Sequence, residues 1–270
     1  MTDPARVAAQ ILTAVRSGRP LVHHITNFVV MNITANITLC CGALPVMAHA
    51  REEVEEMAGA ADALVLNLGT LWPEQVEAML LAGHRANEKG IPIVLDPVGA
   101  GASTLRTASA QRLLRELSIA VVRGNAAEIA TLAGLGASIR GVEATGTSPD
   151  AAAVALALAR RHSCVAAVTG AVDIVTDGRV LLRIANGHPL MGRVTGTGCM
   201  ATSVVAACAA VEKDSVLAAA SALAMYGVAG QAAAERAQGP GTFQMHLFDA
   251  LAGLTEEVVR KDGRMVQETL

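Results

Sequence analysis

Short, mostly apolar runs recur along this chain at 21–25, 44–47, 63–68, 91–95, 119–123 and 165–169, with longer amphipathic stretches between them. Runs too short for helices and apolar on both faces suit strands of a parallel sheet that is covered on both sides. Parallel neighbours need long crossovers, and the intervening stretches have helical length and period. Helices are expected over 3–18, with Asp3 as N-cap and Pro4 at the first helical position, and near 29–41, 51–60, 73–89, 104–116, 126–133 and 149–161. The rhythm changes at 173–176 and 179–184, two runs joined by Asp177-Gly178, which read as an antiparallel hairpin on the sheet edge. Beyond Thr195 only helices are expected, over 198–211, 215–234 and 242–260. The Gly-, Thr- and Ser-rich piece 135–148 reads as a loop. No internal repeat or low-complexity tract interrupts the pattern, so residues 1–270 are expected to form a single α/β domain.

Composition narrows the function classes. Aromatic residues make up 2% of the chain while 52% is hydrophobic, so Ala, Val, Leu, Ile and Met must fill the core. A charged fraction of 17% with a mean hydropathy of +0.43 excludes intrinsic disorder. A formal net charge of −3 without any basic run offers no field for nucleic acid. Residues 216–234 have the length of a membrane span, but they are rich in Ala and contain Ser221, Tyr226 and Gln231. They read as a buried helix packed through small side chains, and no membrane association is expected. The five cysteines (40, 41, 164, 199 and 208) form no C-x-x-C pair, and the first residues lack the basic-then-apolar plan of a signal peptide. Free thiols and a cytoplasmic location are the expectation.

Ligands of open parallel sheets sit beyond the carboxyl ends of the strands, where helix N-termini point. Those ends hold Thr26-Asn27, Met47-Ala48-His49, Asn67-Leu68-Gly69-Thr70, Asp96-Pro97-Val98-Gly99, Arg123-Gly124-Asn125 and Thr169-Gly170. The chain is poor in charge overall, so this gathering is informative. Asp96 suits a hard cation or a positioned water, or else caps the turn that Asp-Pro opens. Asn125 and Glu128 share a helix face, either as a capping box or as groups that hold Mg²⁺ through water near a phosphate. Arg123 closes an apolar strand and would neutralise phosphate oxygens. Thr195-Gly196-Thr197-Gly198-Cys199 opens a helix, where backbone N–H groups converge on an anion. Cys199, in the first turn, is a nucleophile, a modest base or a small buried hydrophobe, and the helix end is expected to lower its pKa from about 8.5. Gly196-x-Gly198-x-x-Ala201 also matches a dinucleotide fingerprint, but no second strand follows it.

The motifs Val22-His-His-Ile-Thr-Asn27, Pro45-Val-Met-Ala-His-Ala50, Asn67-Leu-Gly-Thr70, Asp96-Pro-Val-Gly-Ala100, Arg123-Gly-Asn-Ala-Ala-Glu128, Val168-Thr-Gly170 and Val194-Thr-Gly-Thr-Gly-Cys199 occur in this order. In them the chain resembles the hydroxyethylthiazole kinases of the ribokinase-like superfamily, from about Leu21 to the last helix. The resemblance implies a three-layer sandwich: a mostly parallel central sheet with an antiparallel edge and helices on both faces. It implies ATP- and Mg²⁺-dependent phosphorylation of the primary alcohol of 4-methyl-5-(2-hydroxyethyl)thiazole, in thiamine salvage. By the same resemblance, Cys199 is the catalytic residue; Met47, Gly196 and Asn27 bind the thiazole alcohol. Arg123, Thr169 and Gly198 meet the nucleotide, and Asp96 and Glu128 the metal. A homotrimer with sites at subunit boundaries is also implied. Phosphoryl transfer needs positioning and charge neutralisation more than strong proton abstraction, which agrees with these residue types. The alternatives are a kinase for the pyrimidine alcohol of thiamine synthesis, a dinucleotide-dependent oxidoreductase and a thiazole-binding protein without catalysis.

Overall fold

The computed structural model describes residues 3–135, 139–140, 143–144 and 150–269. The parallel part of its main sheet consists of β1 (Leu21–Ile25), β2 (Leu44–Val46), β3 (Ala63–Asn67), β4 (Ile93–Asp96), β5 (Val121–Asn125) and β8 (Val165–Thr169). Between the last two, β6 (Ile139–Arg140) and β7 (Glu143–Ala144) pair separately with each other. β9 (Asp173–Thr176), β10 (Val180–Ile184) and β11 (Met265–Thr269) extend the main sheet antiparallel. The nine strands lie in the order β2-β1-β3-β4-β5-β8-β9-β10-β11. One face is covered by α1 (Pro4–Gly18), α2 (Met31–Cys41), α8 (Thr197–Ala209), α9 (Ser215–Arg236), α10 (Pro240–Ala252) and α11 (Glu256–Asp262). The other carries α3 (Val54–Ala60), α4 (Pro73–Lys89), α5 (Thr104–Glu116), α6 (Ala126–Ala133) and α7 (Ala151–His162).

Side-chain alternation explains why the strands read as unbroken apolar runs. Ile93 and Leu95 of β4 enter the core beneath α3–α7, while Val94 enters the core beneath α8 and α9. Val165 and Ala167 of β8 likewise oppose Ala166 and Val168. The α8–α9 layer is packed through methyl groups: Ala218, Ala219, Ala220, Ala222, Ala224 and Ala229 of α9 are fully buried. This helix is long and apolar enough to cross a membrane, yet it lies inside the core. Asp3 caps α1 by accepting from the Ala5 N–H at 3.0 Å. Arg16, near the end of α1, donates to Leu251 O, Ala252 O and Leu254 O at 2.5–3.0 Å, closing the C-terminus of α10.

The fold departs from the sequence reading in four places. The stretch 242–260 is two helices, because Gly253 ends α10 and Thr255 caps α11, its Oγ1 accepting from the Val258 N–H at 3.3 Å. Chain after Thr195 is not only helical: β11 pairs with β10 from Val180↔Thr269 to Ile184↔Met265 and closes the antiparallel edge. A short 3₁₀ helix, Pro189–Arg193, precedes α8. The expected loop 135–148 lies largely outside the described residues, and β6 and β7 are the parts of it that are described.

Candidate active site

The carboxyl ends of β1, β3, β4, β5 and β8 stand side by side, and the N-terminus of α8 is laid across them. Asn67, the last residue of β3, links the group. Its Nδ2 donates to Asp96 Oδ2 at 2.9 Å and to Cys199 Sγ at 3.2 Å, and its Oδ1 accepts from Asn27 Nδ2 at 2.7 Å. Asn27 Nδ2 also lies 3.8 Å from Cys199 Sγ. One turn further along α8, Thr202 Oγ1 donates to Asp96 Oδ2 at 2.8 Å. Arg123 places Nη1 3.7 Å from the same oxygen and donates through Nη2 to Thr169 Oγ1. Asp96 Oδ1, buried beside these contacts, has no hydrogen-bond partner.

Glu128 reaches this centre from α6. The capping box is formed: Asn125 Oδ1 accepts from the Ala127 and Glu128 N–H groups, and Glu128 Oε2 accepts from the Asn125 N–H at 2.9 Å. Its Oε1 accepts from the Gly99 N–H at 2.8 Å. Capping uses Oε2 and the loop after β4 uses Oε1, and each oxygen retains a further lone pair.

Burial in a site with one cation decides the protonation states. Desolvation raises Asp96 above the usual carboxylate range against the pull of Arg123 and the hydrogen bonds from Thr202, Cys199 and Asn67. Burial, then the charge of Asp96, pushes Glu128 up to about 7. Asp173 accepts from the Gly170 N–H at 2.9 Å, and burial pushes it up to about 6. Cys199 overturns the expectation of a lowered pKa. Burial and the nearby Asp96 carboxylate push its thiol up to about 12, so it is a protonated group at neutral pH.

The head of α8 has the backbone of an anion seat. Gly196 is its N-cap at φ +82°, where a Cβ would lie 2.5 Å from Ile33 Cδ1 and 2.7 Å from Val30 Cγ1. A Cβ on Gly198 would lie 2.6 Å from Arg123 Nη1. The N–H groups of Thr197, Gly198 and Cys199 precede the first helical bond, from the Met200 N–H to Gly196 O at 2.8 Å. A cleft of about 610 Å³ opens here, lined by Arg123, Thr169, Asp173 and Gly198 together with Tyr226 and His188. At the opposite side of the centre, Phe28 follows Asn27 and stacks on Trp72, with centroids 5.2 Å apart and planes at 13°. Phe28 is 63% and Val29 62% exposed, forming an apolar lip.

The structure thus assembles Asn27, Asp96, Arg123, Glu128, Thr169, Gly196, Gly198 and Cys199 around one centre. Met47 is half-buried immediately after β2, the edge strand beyond β1, and so stands further out on the same sheet end. Four residues of the site were given no role from sequence: Asn67, which was noted only as a strand end, and Thr202, Asp173 and Tyr226. A readable signal for Thr202 and Tyr226 is a lone polar side chain inside an Ala- and Val-rich helix. The dinucleotide fingerprint lies on α8, which follows a 3₁₀ turn and leads into another helix, so no βαβ unit surrounds it.

Comparison with known proteins agrees with this architecture. The hydroxyethylthiazole kinase family model matches residues 12–257. A hydroxyethylthiazole kinase from Methanocella arvoryzae is 56% identical over 255 residues, covering 94% of this chain and 96% of that protein. The solved structure of a hydroxyethylthiazole kinase protein from Pyrococcus horikoshii OT3 superposes with a TM-score of 0.90 at 45% identity, covering 97% of this chain and 98% of that one. A ribokinase-like superfamily protein from Enterococcus faecalis V583 shares the fold at 13% identity, with a TM-score of 0.64 and 89% of each chain covered. A family model that spans most of the chain, a relative more than half identical over nearly its whole length and a matching structure lead to one conclusion: this chain belongs to the hydroxyethylthiazole kinase family.

Proposed function

We propose that this chain transfers the γ-phosphoryl group of ATP to the primary alcohol of 4-methyl-5-(2-hydroxyethyl)thiazole, as a single-domain, Mg²⁺-dependent enzyme of thiamine salvage. The observation that carries the reading is the meeting of Cys199, Arg123 and Asp96 at the head of α8, where an anion seat opens into the cleft. Nucleotide phosphates fit the side lined by Arg123, Thr169 and Gly198. The alcohol fits the side of Asn27, Gly196 and Cys199, with Met47 and the Phe28 lip beyond it.

The transition state of phosphoryl transfer is loose, so the alcohol loses its proton late and the protein's main task is to align the groups and offset charge. A Cys199 thiol held at about 12 orients the hydroxyl rather than abstracting its proton beforehand. It lies within hydrogen-bonding reach of Asp96. As the new P–O bond forms, Sγ accepts the alcohol proton while the thiol proton passes to the Asp96 carboxylate. Arg123 and the first N–H groups of α8 stabilise charge on the phosphoryl oxygens.

Mg²⁺ is held by few protein ligands and keeps water and substrate phosphates. The site fits such an ion: Asp96 Oδ1 is buried without a partner, and Glu128 sits near enough for the Asp96 charge to raise its carboxyl. Among the described residues no group of three or more metal-ligating side chains holds an ion alone, which agrees with coordination completed by phosphate and water. Bound there, the cation would offset charge between the phosphates; Asp96 and Glu128 would hold it. The exposed Phe28 and Val29 after β1, with Leu39 52% exposed on α2 and β2 as an edge strand, support a homotrimer whose subunits meet near the alcohol side. All five cysteines are free, in keeping with the cytoplasm.

The test is product formation from Mg·ATP and the thiazole alcohol, run beside the hydroxymethyl pyrimidine of thiamine synthesis. A phosphorylated thiazole that vanishes on Mg²⁺ chelation is expected. Absence of product from folded protein, or product from the pyrimidine alone, overturns the assignment.

A further inference from the structure

We propose that Tyr226, on α9 and outside the strand-end centre, is a positioning residue that sets the direction of the Gly198 N–H at the head of α8. The proposal rests on the kinase reading above, in which that N–H meets the phosphoryl group in transit. Tyr226 is the chain's single tyrosine, it is 3% exposed, and it forms part of the cleft wall. Its hydroxyl donates to Thr197 O at 3.0 Å. That carbonyl and the Gly198 N–H belong to one planar trans peptide, in which C=O and N–H point in opposite directions. Holding the one aims the other.

The peptide needs holding because of where it lies. Gly196 precedes it at φ +82° and Gly198 completes it, so glycines flank Thr197 and relax the backbone on both sides. The Gly198 N–H comes before the first helical bond and has no helical acceptor. Thr197 Oγ1 donates to Met191 O at 2.7 Å and to Val194 O at 3.2 Å, which anchors the side chain; the Thr197 carbonyl also takes the helical N–H of Ala201, and the Tyr226 hydroxyl is its second donor, from outside the helix. Arg123 Nη1 would stand 2.6 Å from a Cβ on Gly198, so guanidinium and peptide share one seat and a rotated peptide would face the cation with the wrong dipole. Burial raises the pKa of the Tyr226 hydroxyl far above neutrality, with Cys199 adding to the shift, which keeps it a donor throughout the assay range.

A hydroxyl that only satisfied its own burial would affect stability and nothing else. Tyr226→Phe in the full chain separates the two roles, because the ring and its packing remain. The expected result is a kcat about tenfold lower, with KM for ATP and alcohol within about twofold of wild type. The pH profile keeps its shape and the melting temperature stays close to wild type. Affinity for ADP with aluminium fluoride, a mimic of the phosphoryl group in transit, falls by the factor seen in kcat, while ADP alone binds unchanged. Wild-type kcat in an otherwise active enzyme overturns the proposal and leaves the kinase reading standing. So does a loss of activity matched by equal loss of ADP affinity or of folded protein. Wild-type protein without ATP-dependent product refutes the kinase reading first, and this inference with it.

Discussion

Substituting Glu128 by Gln gives the site's electrostatics a thermodynamic readout. Burial and the Asp96 charge move the Glu128 carboxyl from its ordinary 4.5 up to about 7. Each unit corresponds to ~1.4 kcal/mol, so a shift of about two and a half units corresponds to about 3 kcal/mol. Between the two values the folded chain keeps a proton that the unfolded chain has released. The stabilisation is complete below the lower value and is lost as pH rises through about 7. Glutamine does not titrate. It gives up one of the two backbone N–H bonds, a constant offset of about 1 kcal/mol. Lowered pKa values at His23 and His24 act with the opposite sign on the acid side, but both proteins contain them and they cancel in the difference. Urea unfolding of ligand-free, chelated protein at closely spaced pH values therefore gives a wild-type-minus-variant stability that falls by about 3 kcal/mol across this window. Asp96 shifts along with its neighbour, so the slope belongs to the pair. A difference that stays flat with pH would refute the reasoning, because Glu128 would then titrate alike in the folded and unfolded chains.

Cys199→Ala is expected to lower kcat by about 10²-fold while leaving ATP affinity near wild type, and steady-state kinetics with separate ATP binding checks this. Gly198→Ala drives a Cβ into Arg123 Nη1 at 2.6 Å. The flexible guanidinium yields, so the protein folds, and KM for ATP rises about tenfold through its displacement. Arg16→Ala removes the donors to Leu251 O, Ala252 O and Leu254 O. Unfolding experiments should show a loss of about 2–3 kcal/mol with kcat unchanged below the melting range. Asp173 gains its negative charge as pH rises through about 6 and lies on the Arg123 side of the cleft. ATP binding should weaken with pH through that value in wild type, and less so in Asp173→Asn, by titration calorimetry at a series of pH values.

The parts of the fold legible in the sequence are those buried on both sides. β3 and β4 have no solvent face and β8 is open only at its last residue, so each appears as an apolar run that needs no partner to be recognised. β11 was invisible for the opposite reason: Met265, Gln267 and Thr269 alternate with Val266 and Glu268 over five residues, and only β10 makes a strand of them. Site residues at strand ends, Asp96, Arg123 and Thr169, could be read because the parallel architecture says where to look. Asn67 lies at such an end too, but its role depends on contacts with residues 40 positions before it and 132 after it. The direction of the Cys199 shift was also hidden. Helix position argues for a lowered thiol, whereas the buried Asp96 that reverses it is brought in by chain folding.

The stacked pair at the lip has an optical consequence. Trp72 is the chain's single tryptophan, against three phenylalanines and one tyrosine, so nearly all near-ultraviolet emission originates at that one place. Its ring lies on Phe28, whose backbone N–H donates to Thr70 Oγ1 and which follows directly on Asn27. Emission wavelength and quenching therefore report on the alcohol side alone, with little background from the aromatic-poor core. Stopped-flow traces of this unlabelled protein, excited beyond the absorption of Tyr226 in the cleft wall, can follow events at the lip, whether ligand entry or the docking of another subunit.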